Sequence, residues 1–200
     1  MSMIHAPGLH RAQRQAPSVA MTRPVAIAAY AAASPLGRVA ASVLSPRPAG
    51  ALVGAIRDGR RALAREELGE GVKVPVARIA EPVPSLGGDR TIDLLAWCFE
   101  AIGEALEVAT RLAGVEERAV FAATSKGAVG ARLAGETDLS IVAPDAPARW
   151  LAARWPAGGA VQGRVAACAT GLHNVIAAAQ EIADGRARVA LAGCAEAALL

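Results

Sequence analysis

Apolar residues recur along the chain in two rhythms, short unbroken runs and spacings of three and four, and their alternation predicts a layered α/β protein. Val25 to Ala31 is a short apolar run closed by Ser34-Pro35-Leu36-Gly37. It reads as a buried strand with a loop at its carboxyl end, the end where ligands sit in open α/β sheets. Ala51 to Leu63 predicts a modest helix interrupted by Asp58-Gly59. From Gly69 to Gly88 repeated glycines and Pro75, Pro82 and Pro84 break any helix, leaving a loop with at most one short extended piece. The clearest helix runs from Arg90 to Leu112, with Asp89 as N-cap and Gly114 as its stop. Ile92, Leu95, Phe99, Ile102, Leu106 and Ala109 form its stripe, and Cys98 lies beside that stripe as a small buried thiol.

Ala119 to Ala123 predicts a second strand, ending in Thr124-Ser125-Lys126-Gly127. The order of these residues is wrong for a phosphate loop, and Lys126 reads as solvated. Pro144 to Trp155 predicts a short helix whose Trp150 and Trp155 are packing anchors. A short strand then leads to Cys168, and a helix of about sixteen residues begins right after it. Leu172, Val175, Ile176, Ala179, Ile182 and Ala183 share one face of that helix, and Asp184-Gly185 ends it. The last strand, Val189 to Ala192, runs into Gly193-Cys194-Ala195-Glu196.

Composition narrows the class. The 200 residues are 54% hydrophobic and 20% charged, which excludes disorder over most of the chain. About a quarter are Ala and aromatics are only 3%, so helices pack closely on sheet through small side chains. The mean hydropathy of +0.34 raises the question of a membrane. No run approaches the roughly 18 apolar residues a spanning helix needs. The net charge of +3 is unevenly distributed, because six arginines precede the first acid, Asp58. They are spread among Ala and Pro without interleaved aromatics, which argues against a nucleic-acid surface.

Residues 1–20 lack the apolar core of a secretory signal and are expected to be a disordered extension, with Met21 a candidate start. Cys98, Cys168 and Cys194 are odd in number and widely spaced, with neither a disulfide framework nor zinc spacing. A reducing cytoplasm is the expected compartment, and no metal or organic cofactor is implied.

Cys168 is the residue that carries chemistry. A cysteine at a strand-to-helix turn sits over unsatisfied backbone N–H groups and the positive end of the helix dipole, which favour thiolate over thiol. On these grounds alone an inert buried cysteine and a nucleophile both remain open.

The stretch from Ala167 to Ala197, A-C-A-T-G-L-H-N-V-I-A-A-A-Q-E-I-A-D-G-R-A-R-V-A-L-A-G-C-A-E-A, resembles the nucleophile strand, helix and following strand of the β-ketoacyl-ACP synthases, condensing enzymes of the thiolase fold. Three further pieces fall in the family's order. The run from Val25 to Tyr30 through Ser34-Pro35-Leu36-Gly37 is similar to its opening strand and turn; Asp89-Arg90 opens a long helix; Thr124-Ser125-Lys126-Gly127 resembles its G-T-S-x-G-G loop. The loop departs at Lys126 and Ala128, and Cys194 stands where the family's G-G-x-E has its second Gly.

The resemblance implies a thiolase-like layered fold, a mixed sheet with packed helices, over residues 21–200, as the N-terminal half only. It implies that Cys168 accepts an acyl group as a thioester, that the Cys168 N–H is one oxyanion donor, and that acyl carrier protein and acyl and malonyl thioesters are partners. The family's two catalytic histidines lie in a second half that this chain does not contain. The histidines here are His5, His10 and His173. His173 lies roughly 140° around the helix from Cys168 and reads as a surface or interface residue.

Three readings follow. The chain is half of a condensing acyltransferase for fatty acid or polyketide synthesis, inactive without the other half; or a truncated relic; or a non-catalytic module that pairs with a full-length synthase. A lone half exposes an apolar helical face, so a homo- or hetero-oligomer is expected.

Overall fold

The computed structural model describes residues 24–42, 44, 50–67, 70–79, 83, 85 and 89–197. The expected extension over residues 1–20 and the start at Met21 lie outside the described residues.

The architecture is built on one strand. Arg118–Ala123 (β5) is buried along its whole length. It pairs in parallel with Val161–Gln162 (β6) on one side and Val189–Cys194 (β7) on the other. Parallel neighbours require crossovers. Between β5 and β6 the chain forms Val129–Leu133 (α4), Leu139–Val142 (α5) and Ala146–Arg154 (α6). Between β6 and β7 it forms Thr170–Ala183 (α7), which carries the chain past β5 to the opposite edge.

The period of two along β5 feeds two separate cores. Val120 and Ala122 point into one with Leu95, Leu106, Ala148, Leu151 and Trp155. Ala119 and Phe121 point into the other with Ala178 and Ala187, beneath α7. Helices therefore cover both faces of the parallel sheet, as a parallel sheet requires.

The long helix predicted over 90–112 is two helices, Arg90–Glu100 (α2) and Gly103–Leu112 (α3). The break falls at Ala101-Ile102, where Gly103 lowers helix propensity. The apolar stripe survives it, with Leu95 and Leu106 buried and Ile92, Phe99, Ile102 and Ala109 packed alongside. Asp89 caps α2 as expected, its carboxylate accepting the Thr91 N–H at 2.7 Å. Gly114 is not a left-handed stop; the turn is closed by its N–H donating to the Glu117 carboxylate at 3.0 Å.

The N-terminal third departs most from expectation. The first strand is Ala29–Ser34 (β1), and it pairs antiparallel with Gly37–Ser42 (β2). Ser34-Pro35-Leu36-Gly37 is thus a hairpin turn, with Ser34 Oγ accepting the Leu36 N–H at 3.1 Å, and not the mouth of a buried parallel strand. Ile27 and Tyr30 are exposed. The helix predicted over 51–63 stops at Arg57 (α1), where Asp58-Gly59 ends it. Leu63–Glu67 (β3) and Lys73–Ala77 (β4) then form a second hairpin. Leu63–Glu67 is exposed apart from half-buried Glu66, and Lys73–Ala77 turns only Val74 and Val76 inward, a weak signal beside Pro75 and the neighbouring glycines. Among the described residues, antiparallel pairing is therefore confined to these two hairpins, which are sheets separate from the parallel one.

The tryptophans are packing anchors. Trp155 is buried and donates its indole N–H to Thr110 Oγ1 at 2.9 Å. Trp150 meets Phe99 edge-on at 6.2 Å and lies under the Arg154 guanidinium. No described helix is long and apolar enough to cross a membrane.

Candidate functional site

Three segments gather at the carboxyl end of the parallel sheet: the loop after β5, the turn before α7 and the segment after β7. The loop is shaped by Thr124, whose buried hydroxyl accepts the N–H groups of Lys126 and Gly127, each at 3.1 Å. Gly127 takes a left-handed φ of 77°, and a β-carbon there would collide with the Val142 carbonyl. Lys126 projects into solvent, as expected. The Glu196 carboxylate accepts the Ser125 N–H and so ties the segment after β7 to this loop.

The turn before α7 holds Cys168. The strand expected to lead into it is only the two residues of β6, and residues 163–166 carry no ladder. What replaces the ladder is side-chain bonding. Asn174 Oδ1 accepts the Arg164 N–H at 2.9 Å, while its Nδ2 donates to the Arg164 carbonyl at 3.1 Å and the Thr170 carbonyl at 2.9 Å. Thr170 Oγ1 accepts the Ala166 N–H at 3.0 Å and donates to the Ala167 carbonyl at 2.7 Å. Two buried polar residues one turn apart thus clamp the approach to the cysteine.

The chain then turns sharply. Ala167 has a φ of 47°, a left-handed conformation that costs a residue with a β-carbon about 1–2 kcal/mol. A single 3-10 turn, Ala167–Ala169, leads directly into α7. Cys168 lies in this turn and is exposed. An exposed thiol on a constrained strand-to-helix turn is open to attack an incoming carbonyl carbon.

The other two thiols differ. Burial pushes Cys98 above the usual thiol range, against a weaker opposing pull from Arg38. Arg38, which sequence reasoning did not place here, lies over the Trp97 ring and donates to the Trp97 carbonyl at 2.9 Å. Cys194 is pushed up by burial and by the Glu196 charge, and is partly offset by the N–H of Gly171.

The face expected to bury α7 is buried only toward its end. Leu172, Val175 and Ile176 are exposed and Ala183 is buried as expected, while Thr170, Asn174 and Ala178 are buried in place of the large aliphatics. Small side chains let the helix approach β5 and β7 closely, and the large aliphatics are left outside. Ile182 packs inward as expected. His173 is exposed on the outer face, in keeping with a surface residue. His5 and His10 lie outside the described residues. The clamp of Thr170 and Asn174 was missed, although polar residues four apart within an apolar helix are a readable signal.

Residues 95–200 match the family described as Beta-ketoacyl synthase, N-terminal domain. No curated protein matches the chain. Among solved structures it is similar to the ketosynthase in complex with its chain length factor from Xenorhabdus doucetiae, with a TM-score of 0.63 and 16% sequence identity. That alignment covers 80% of this chain and 43% of the other, so the chain spans less than half of its structural relative's length. The likeness shows a thiolase-like fold.

Proposed function

From a chain that belongs to the β-ketoacyl synthase family and carries that family's N-terminal domain, we propose the acyl-accepting half of a condensing acyltransferase. The observation that supports this most is the placement of Cys168: an exposed thiol, on a turn that opens with left-handed Ala167, just before a helix braced by Thr170 and Asn174. In the proposed first step the Cys168 thiolate attacks the carbonyl carbon of an acyl thioester, and the carrier leaves as its thiolate. In the second, decarboxylation of a malonyl thioester yields a carbanion that attacks the Cys168 thioester and expels the cysteine thiolate. The backbone N–H of Cys168 is a donor for the oxyanion formed in each attack.

Residues 21–200 form the N-terminal thiolase-like domain in this reading. Acyl carrier protein delivers the thioesters in the cytoplasm, in fatty acid or polyketide synthesis. The histidines of this sequence are His5, His10 and His173, and in this reading the group that polarises the malonyl carbonyl comes from a second half. The exposed Leu172, Val175 and Ile176 support such pairing, since an outward aliphatic row on the nucleophile helix suits a shared helical layer. A hetero-oligomer is further supported by the structural relative, which is a ketosynthase in complex with a chain length factor.

The same exposed row also favours a second reading, a non-catalytic module that pairs with a complete synthase. Condensation separates the two. The purified chain alone releases no CO2 from malonyl thioester, and on the main reading a β-ketoacyl product forms from acyl and malonyl thioesters when a family C-terminal half is added and is lost in Cys168→Ala. CO2 release by the chain alone, or a condensed product with the added half that is indifferent to Cys168, overturns the proposal.

A further inference from the structure

Cys194 touches the helix that carries Cys168. Its Sγ lies so close to Gly171 that a β-carbon on that glycine would sit 2.7 Å from the sulfur, nearer than real β-carbons approach. Gly171 is the second residue of α7, where the backbone N–H has no partner within the helix. The nearby Gly171 N–H favours the charged form of the Cys194 thiol. The end of β7 therefore sits, from outside the helix, against the turn that a Ser, Thr or Asp at the N-cap ordinarily braces. Ala169 occupies the N-cap here and makes no side-chain capping bond.

We propose that Cys194 is a positioning residue: its thiol, seated against Gly171, fixes the first turn of α7 and with it the orientation of the Cys168 turn one helical turn upstream. The two residues are mutually fitted, because the sulfur occupies the space a side chain at position 171 would need. The glycine is otherwise a poor choice in a helix, where alanine is favoured by roughly 0.5–1 kcal/mol. The importance of the placement rests on the proposed role of Cys168, but the contact itself does not.

The pair makes a cycle whose sign reverses. In the natural background, Gly171→Ala forces the helix start off the sulfur and slows iodoacetamide alkylation of Cys168 about tenfold, as displacement of a reacting group by a fraction of an ångström to an ångström does. In the Cys194→Gly background the same substitution has room, and the alkylation rate returns to within about twofold of the natural chain. The rate is read on the Cys168 peptide by mass spectrometry, so that labelling of other thiols does not enter. Amide exchange over residues 166–175 provides the second measurement should Gly171→Ala fail to fold. Protection of the Gly171 amide is lost in Cys194→Ala and recovered in Cys194→Ser, whose hydroxyl can accept the N–H. An equal effect of Gly171→Ala in both backgrounds, or a Gly171 amide that exchanges alike with alanine and serine at 194, overturns the proposal. Alkylation requires no acyl transfer, so an intact cycle without acyl loading rejects only the condensing role, and an additive cycle with acyl loading rejects only the positioning role.

Discussion

Asn174 is the residue on which the approach to Cys168 depends most, and its replacement gives the sharpest stability prediction. It is completely buried and makes three hydrogen bonds, two to the Arg164 backbone and one to the Thr170 carbonyl. Asn174→Ala removes all three and leaves the Arg164 N–H and carbonyl without this partner in a segment that has no strand ladder. At a net worth of about 1 kcal/mol per bond, with an added penalty where a group stays dry, the loss comes to roughly 3–4 kcal/mol. Asn174→Asp is a stricter test of the same geometry. It keeps the acceptor for the Arg164 N–H but sets a carboxylate against two carbonyls, so it is no less destabilising than alanine. Urea unfolding followed by tryptophan fluorescence measures the loss, and faster proteolysis near residues 163–168 locates it. A loss below about 1 kcal/mol for Asn174→Ala would refute the view that this amide carries the turn.

Other consequences follow from the same structure. Arg118 is buried and donates to the carbonyls of Ala113, Thr110 and Pro156, so Arg118→Ala costs about 3 kcal/mol in the same unfolding assay. Ala167→Gly relieves the left-handed φ and raises stability by about 1 kcal/mol, and an unchanged or lower unfolding midpoint contradicts the strain. The exposed aliphatics of α7 make the isolated chain oligomeric or aggregation-prone, and sedimentation of Leu172→Glu with Ile176→Glu shows a smaller species; a stable monomer before substitution contradicts this. Cys98 and Cys194 are both raised on folding, so above the ordinary thiol range of about 8.5 the unfolded chain has released protons that the native chain still holds. Stability therefore falls as pH rises from about 8.5, and Cys98→Ala combined with Cys194→Ser flattens that fall.

How much of this was legible in the sequence depends on the strength of each local signal. β5, β7 and α7 were readable because unbroken apolar runs and an apolar stretch ended by Asp184-Gly185 mark parallel strands and their crossover. The two hairpins were not. β1 is dominated by alanine, which has little strand preference, β2 is mostly small residues, and β3 and β4 form a largely exposed ribbon with few inward apolar positions. The first turns of α7 were misread for a physical reason: hydrophobicity names the side that avoids water, whereas closeness to β5 selects the small side chain of Ala178. The turn that holds Cys168 was legible from its position before a helix. Its supports, Thr170, Asn174 and the Cys194–Gly171 contact, depend on distances between segments that no local pattern records.

The central claim is that Cys168 is the acyl acceptor. Its most direct test is the mass of the chain after incubation with an acyl carrier protein thioester in the presence of a family C-terminal half, followed by peptide mapping. The account predicts one added acyl mass on the Cys168 peptide, absent in Cys168→Ala and retained in Cys98→Ala. An acyl group found equally on Cys98 or Cys194, or an adduct that survives Cys168→Ala, would contradict it.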